Sequence, residues 1–86
     1  MKGDDAVDAY VAIANEIIVS AAEDYKRALM QLKRNPGNVH AKKSARRLEN
    51  YFHSSEFEIM TKLNPDYLIK KMKKYVDELY EKGEIE

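Results

Sequence analysis

The chain has no cysteine and no tryptophan, and only two histidines, two prolines and three glycines in 86 residues. Without cysteine there is no disulfide framework, no iron–sulfur cluster, no thiolate zinc site and no thiol nucleophile. His40 and His53, with no ligand set near either, make a metal site improbable, so neither metal nor cofactor is expected. So little glycine and proline leaves scant material for tight hairpins and argues against an all-β domain. No long apolar run exists. The most apolar stretch, Ile13 to Ala22, contains Asn15 and Glu16 and falls short of the ~20 apolar residues of a membrane span. The opening Met1-Lys2-Gly3-Asp4-Asp5 lacks the basic start and apolar core of a signal peptide. A cytoplasmic protein with no membrane partner is therefore expected. Net charge is also missing, because fifteen Lys and Arg balance fifteen Asp and Glu. With 44% apolar residues the chain can bury a core and does not read as disordered. Its length allows one domain, residues 1–86.

What is present is helical periodicity. From Val7 to Leu32 there is neither Gly nor Pro, and one seam is regular: Val11, Ala14, Ile18, Ala21, Tyr25, Ala28, Leu32. Its steps alternate three and four residues, which is a heptad pattern. A large residue alternates with alanine, so another backbone can come close along this line. Val7, Tyr10 and Ile17 widen the stripe. Asp4 or Asp5 fits an N-cap, and acids in the first turn suit the helix dipole. Asn35-Pro36-Gly37-Asn38 ends the helix, with Lys33 and Arg34 at its C-terminal end.

A second helix starts at Asn38 as N-cap and carries Ala41, Ala45, Leu48 and Phe52. His53-Ser54-Ser55-Glu56 interrupts it. Ser55 followed by Glu58 fits a capping box, which predicts a short connector helix carrying Phe57, Ile59, Met60 and Leu63. Asn64-Pro65 is an N-cap with Pro at the first helical position. The last helix carries Leu68, Ile69, Met72, Tyr75, Val76, Leu79 and Tyr80, and stops at Gly83. The expected fold is an all-α small helical bundle, with a long N-terminal helix over about 4–33, a second over about 38–52, a connector over about 56–62 and a last helix over about 65–82. At ~1.5 Å per residue the first helix is about 43 Å long, and the second covers only about half of it. A second subunit is the simplest cover for any stretch of the alanine-rich seam left open, so a homo-oligomer is expected.

Tyr51-Phe52-His53-Ser54-Ser55-Glu56-Phe57, then Met60-Thr61, then Leu63 through Ile69, resembles a stretch in small uncharacterised all-helical proteins of phages and prophages of Gram-positive bacteria. That stretch usually has paired aromatics, a basic residue, Ser, an acid and an aromatic pair, followed by Leu-Thr and Tyr-Leu-Ile. Ala21, Asp24-Tyr25 and Ala28 are similar as well. Glu56 stands where an aromatic is usual, and Asn64-Pro65 where an acidic-Gly turn is usual. The resemblance implies an all-helical fold and a phage setting. It implies no activity.

Charge is segregated along the chain. Residues 1–25 hold Lys2 against Asp4, Asp5, Asp8, Glu16, Glu23 and Asp24. Residues 26–47 hold Lys26, Arg27, Lys33, Arg34, Lys42, Lys43, Arg46 and Arg47 and no acid. Residues 48–60 hold Glu49, Glu56 and Glu58 and no Lys or Arg. Lys33, Arg34, Lys42, Lys43, Arg46 and Arg47 thus form a candidate patch for a protein partner or for phosphates. A solvated face is the bland alternative. Zero net charge and no aromatic–basic interleaving favour protein over nucleic acid. A helix-turn-helix is disfavoured, because the first helix is too long and the segment after the turn lacks large apolar anchors. Lys70, Lys71, Lys73 and Lys74 read as the solvated face of an amphipathic helix.

No catalytic set is apparent. His53 beside Ser54 and Ser55 has no third orienting group and no oxyanion-hole signature, so helix capping is the better account. Glu56 and Glu58, two apart on a helix, point in different directions. The expectation is a non-enzymatic, phage-type accessory protein that docks on a protein partner, a host factor being one such partner. A nucleic-acid-binding protein and a purely structural oligomer are the alternatives.

Overall fold

The computed structural model describes the backbone of residues 5–83 and the side chains of residues 16–83. Four helices follow one another: α1, Asp5–Arg34; α2, Val39–Phe52; α3, Ser55–Met60; and α4, Pro65–Glu81. No strand occurs among the described residues. The all-α bundle read from the sequence is the observed fold. The proposed cap at Asp4 lies outside the described residues, and Asp5 is within α1.

Local chemistry sets the boundaries. The Asn35 side chain accepts from the Gly37 N–H and tightens the first turn. Asn38 caps α2 by accepting from Ala41 N–H at 3.0 Å. Asn64 caps α4 by accepting from the N–H groups of Asp66 and Tyr67, and Pro65 follows where its missing N–H costs no hydrogen bond. At the far end Gly83 adopts φ +75°, the left-handed turn that glycine tolerates best.

The connector departs from expectation. Ser54, not Ser55, is the N-cap of α3, with extended backbone and its Oγ accepting from Phe57 N–H. The helix ends at Met60, and Thr61 is extended, its Oγ1 accepting from Leu63 N–H. Leu63 therefore lies outside the helix and is exposed rather than part of its apolar face.

α2 turns back antiparallel to α1. α4 runs beside α1 in the same direction, since Lys26 lies over the Tyr75 ring and Lys33 reaches Asp77 and Tyr80. Tyr75 is thus a half-exposed ring under a lysine rather than core. The core gathers Tyr25, Ala28, Ala45, Phe52 and Phe57, with Ile18, Ala21, Leu32, Leu48 and Leu68 packed around it. Its rings meet edge to face: Tyr25–Phe52 at 5.6 Å and Phe52–Phe57 at 5.4 Å between centroids. Such offset pairs favour the ring quadrupoles.

The heptad seam accounts for this packing. Tyr25 and Ala28 are buried, and Ile18, Ala21 and Leu32 are half-buried against the core. Val11 and Ala14 fall outside the residues whose side chains are described. The body measures 50 × 25 × 19 Å, with a radius of gyration of 15.3 Å. A compact chain of this length would give about 12 Å. The elongation follows from α1, whose 30 residues span about 45 Å against about 21 Å for the 14 residues of α2.

Candidate protein-docking face

α2 is the element to build from. Ala41, Ala45 and Phe52 are buried, and Leu48 packs on the core. At 100° per residue the opposite side of the helix carries Lys43, Arg46, Arg47 and Asn50, flanked by Lys42 and His40. All of these are exposed. Lys42, Lys43 and Arg46 surround the exposed Val39 at the start of the helix. At one edge of this face His40 and Arg47 also border a small polar hollow that they share with Asp24, Arg27 and Gln31 of α1.

The one acid of α2, Glu49, does not join this face. Its Oε2 accepts a 2.6 Å hydrogen bond from the Tyr25 hydroxyl and lies 3.9 Å from Lys73 Nζ. Burial, then the bond to Glu49, hold the Tyr25 phenol far above its ordinary value. Glu49 thus joins α1, α2 and α4, and leaves the outer side of α2 purely basic. Counting charges along the chain missed this. The available signal was Tyr25 itself, since a tyrosine on an apolar seam needs an acceptor for its hydroxyl.

The six residues proposed for the basic patch do not stay together. Lys33 is drawn to α4, where it pairs with Asp77 and sits over the Tyr80 ring. The hydrogen bond to Asp77 raises the Lys33 pKa. The pair crosses a groove of about 470 Å³ floored by Leu29, Leu32, Pro36 and Val76. Arg34 is exposed at the end of α1. Lys42, Lys43, Arg46 and Arg47 remain on α2.

Three other cations are paired, Lys26–Glu23 at 3.1 Å, Arg27–Asp24 at 3.0 Å and Lys73–Glu49 at 3.9 Å, whereas Lys62, Lys70, Lys71, Lys74 and Lys82 have no ion-pair partner among the described residues. Among the described residues no carboxylate pairs with Arg34, Lys42, Lys43, Arg46 or Arg47.

His53 closes the other end of α2. Its Nδ1 lies 2.9 Å from the Glu49 carbonyl oxygen, the capping role read from the sequence, and its Nε2 lies 2.8 Å from Asp66 Oδ1. Both partners are acceptors, so the ring is best satisfied as imidazolium. The bond to Asp66 leads in raising its pKa. Asp66 is an orienting acid that the sequence did not disclose. It creates no catalytic triad, because both ring nitrogens are engaged and Ser54 Oγ donates to the Tyr51 carbonyl at 2.6 Å. Protonated His53 therefore contributes a link that is fully present below about pH 6.5, the unfolded value, and is lost as pH rises through the raised folded value. The difference in urea midpoint between the parent and His53→Gln should shrink as pH is raised from about 5 to about 8. A difference constant across that range would show that the ring contributes by packing alone.

Among the described residues no three His, Asp or Glu side chains gather to hold a metal ion, and no helix is long and apolar enough to cross a membrane. Comparison of the chain with protein-family models, curated proteins and solved structures gave no match.

Proposed function

We propose that the protein is a non-catalytic, cytoplasmic docking protein whose basic α2 face seats on an acidic surface of a protein partner. The observation that carries this reading is the division of its cations. The lysines of α4 share that helix with Asp66, Asp77, Glu78 and Glu81, whereas Lys42, Lys43, Arg46 and Arg47 lie exposed on a helix whose one acid is Glu49, and none of the four has an ion-pair partner among the described residues. Glu49 is engaged by the Tyr25 hydroxyl and by Lys73. A rigid helix of about 21 Å with one sign of charge meets a partner of opposite sign, and such complementarity sets register and association rate. Two features favour protein over nucleic acid. Lys33, which would extend the strip along the turn, is held by Asp77. The chain is neutral overall, so no long-range field draws it to a polyanion. The resemblance of residues 51–69 is the support for a phage or prophage setting with a host factor as partner.

A photo-crosslinking residue at position 43, introduced in cells, tests the reading. A discrete protein adduct is expected, and Arg46→Glu with Arg47→Glu should abolish it while the thermal midpoint stays within a few degrees. The same protein titrated onto labelled duplex DNA, single-stranded DNA and RNA should show no micromolar binding. Affinity for nucleic acid that falls ~10²-fold or more between about 50 and 200 mM salt, the slope of about four phosphate contacts, would replace protein docking by phosphate binding.

A further inference from the structure

Away from the basic face, two hollows of about 520 and 410 Å³ adjoin where α1, α2 and α3 meet. Ile17 and Tyr51 line both, so they form one trough, floored by Leu48 on one side and by Ile59 and Met60 on the other. Ile59 is 77% exposed and Ile17 45% exposed. On a six-residue helix that buries Phe57, a large aliphatic side chain standing in solvent does nothing for the core. Contiguous apolar surface of this kind marks an interaction site.

The rim identifies the partner's chemistry. Among the described residues the charged ones lining the trough are Glu16, Asp24 and Glu56, all acidic. Asp24 pairs with Arg27, whereas Glu16 and Glu56 have no ion-pair partner among the described residues. From Glu16 to Asp24 the floor follows two turns of α1, about 12 Å, and α3 adds about 9 Å. We infer that this trough receives an amphipathic helix of a partner protein, three to four turns long, with an apolar stripe flanked by Lys and Arg. Helix-in-groove recognition of this type uses anchors at i, i+3, i+4 and i+7. A second copy of the chain is the poorer occupant. A two-fold contact would set each acidic rim against itself, and facing like charges repel. The trough lies off the outer side of α2, so this inference stands apart from the docking proposed for Lys42, Lys43, Arg46 and Arg47.

The probe is a fluorescein-labelled Leu/Lys peptide of roughly 18 residues with helical amphipathic spacing, set against its Leu/Glu counterpart. Anisotropy at about 150 mM salt, where exposed charges are well screened, should show micromolar binding of the Leu/Lys peptide only. Ile17→Ser with Ile59→Ser should weaken it at least ~10-fold at an unchanged unfolding midpoint, because both side chains are already exposed. Glu16→Lys with Glu56→Lys should transfer the preference to the Leu/Glu peptide. Arg46→Ala with Arg47→Ala should leave the affinity unchanged, which separates failure here from failure of the basic-face reading. Equal binding by the parent and the Ile17/Ile59 variant would reduce the interaction to unspecific charge and overturn the inference. So would sedimentation that shows a dimer lost on Ile59→Ser, since the trough would then be occupied by a second copy.

Discussion

Phe52→Ala is expected to lower the unfolding free energy by about 3–5 kcal/mol. Phe52 is 1% exposed and is the ring through which the helices meet. Its centroid lies 5.6 Å from that of Tyr25 on α1, 5.4 Å from that of Phe57 on α3 and 6.0 Å from that of Tyr51 on its own helix. Truncation removes the transfer free energy of the ring and its edge-to-face contacts with Tyr25 and Phe57, and leaves a cavity among three aromatic neighbours. A chain of this length has about 4–13 kcal/mol in total, so the loss is about a quarter or more of what holds it folded. At ~4–8 °C per kcal/mol the thermal midpoint should fall by about 12–40 °C, read by the helical circular-dichroism signal. Ile59→Ala, at an exposed position of the adjoining helix, should change stability by no more than about 0.5 kcal/mol. A loss below about 1 kcal/mol for Phe52→Ala would mean that the aromatic cluster is not the core.

The parts of this fold that were legible in the sequence are those governed by local chemistry. Asn38, Asn64-Pro65 and Gly83 each satisfy or terminate backbone within a few residues, and each sits where its chemistry placed it. The heptad seam was legible for the same reason, since three-and-four spacing is a property of one helix. The cap of α3 was not. Ser54 and Ser55 are adjacent, and Ser55 with Glu58 matched the spacing of a capping box better. What decides is tertiary. With Ser54 as cap, Phe57 enters the helix as its third residue and is buried against Phe52 and Tyr51. The candidate docking face divided along the same line. Lys42, Lys43, Arg46 and Arg47 are near one another in the chain and exposed on one helix, and the acid-free run of residues 26–47 disclosed them. The removal of Lys33 by Asp77, and of Glu49 by Tyr25 and Lys73, depends on pairs far apart in the chain. No spacing rule reaches them.

Ala28→Leu carries the second large effect, with an expected loss of about 1–3 kcal/mol from overpacking. The seam on α1 alternates large residues with alanine, and α2 answers with alanines of its own. Ala28 is 3% exposed, Ala45 6% and Ala41 fully buried, so the two backbones approach through methyl groups. A leucine at position 28 brings three further carbons to that contact. They can be seated only by leaving a preferred rotamer or by moving α2 outward. An outward shift of α2 would also stretch the 2.6 Å bond from the Tyr25 hydroxyl to Glu49, whose carboxylate would then be free to swing toward Arg46, three residues before it. The same substitution therefore tests a link between packing and the docking face. Chemical denaturation should give the lower stability, and the Tyr25 hydroxyl proton should lose protection from exchange. Val19→Leu, at a position of the same helix that is 58% exposed, should change neither. A stabilised Ala28→Leu would mean that the space between α1 and α2 is slack and that the alternation of alanine along the seam does not set the helix spacing. Glu49 would then owe its inward position to Lys73 rather than to close packing of α1 on α2.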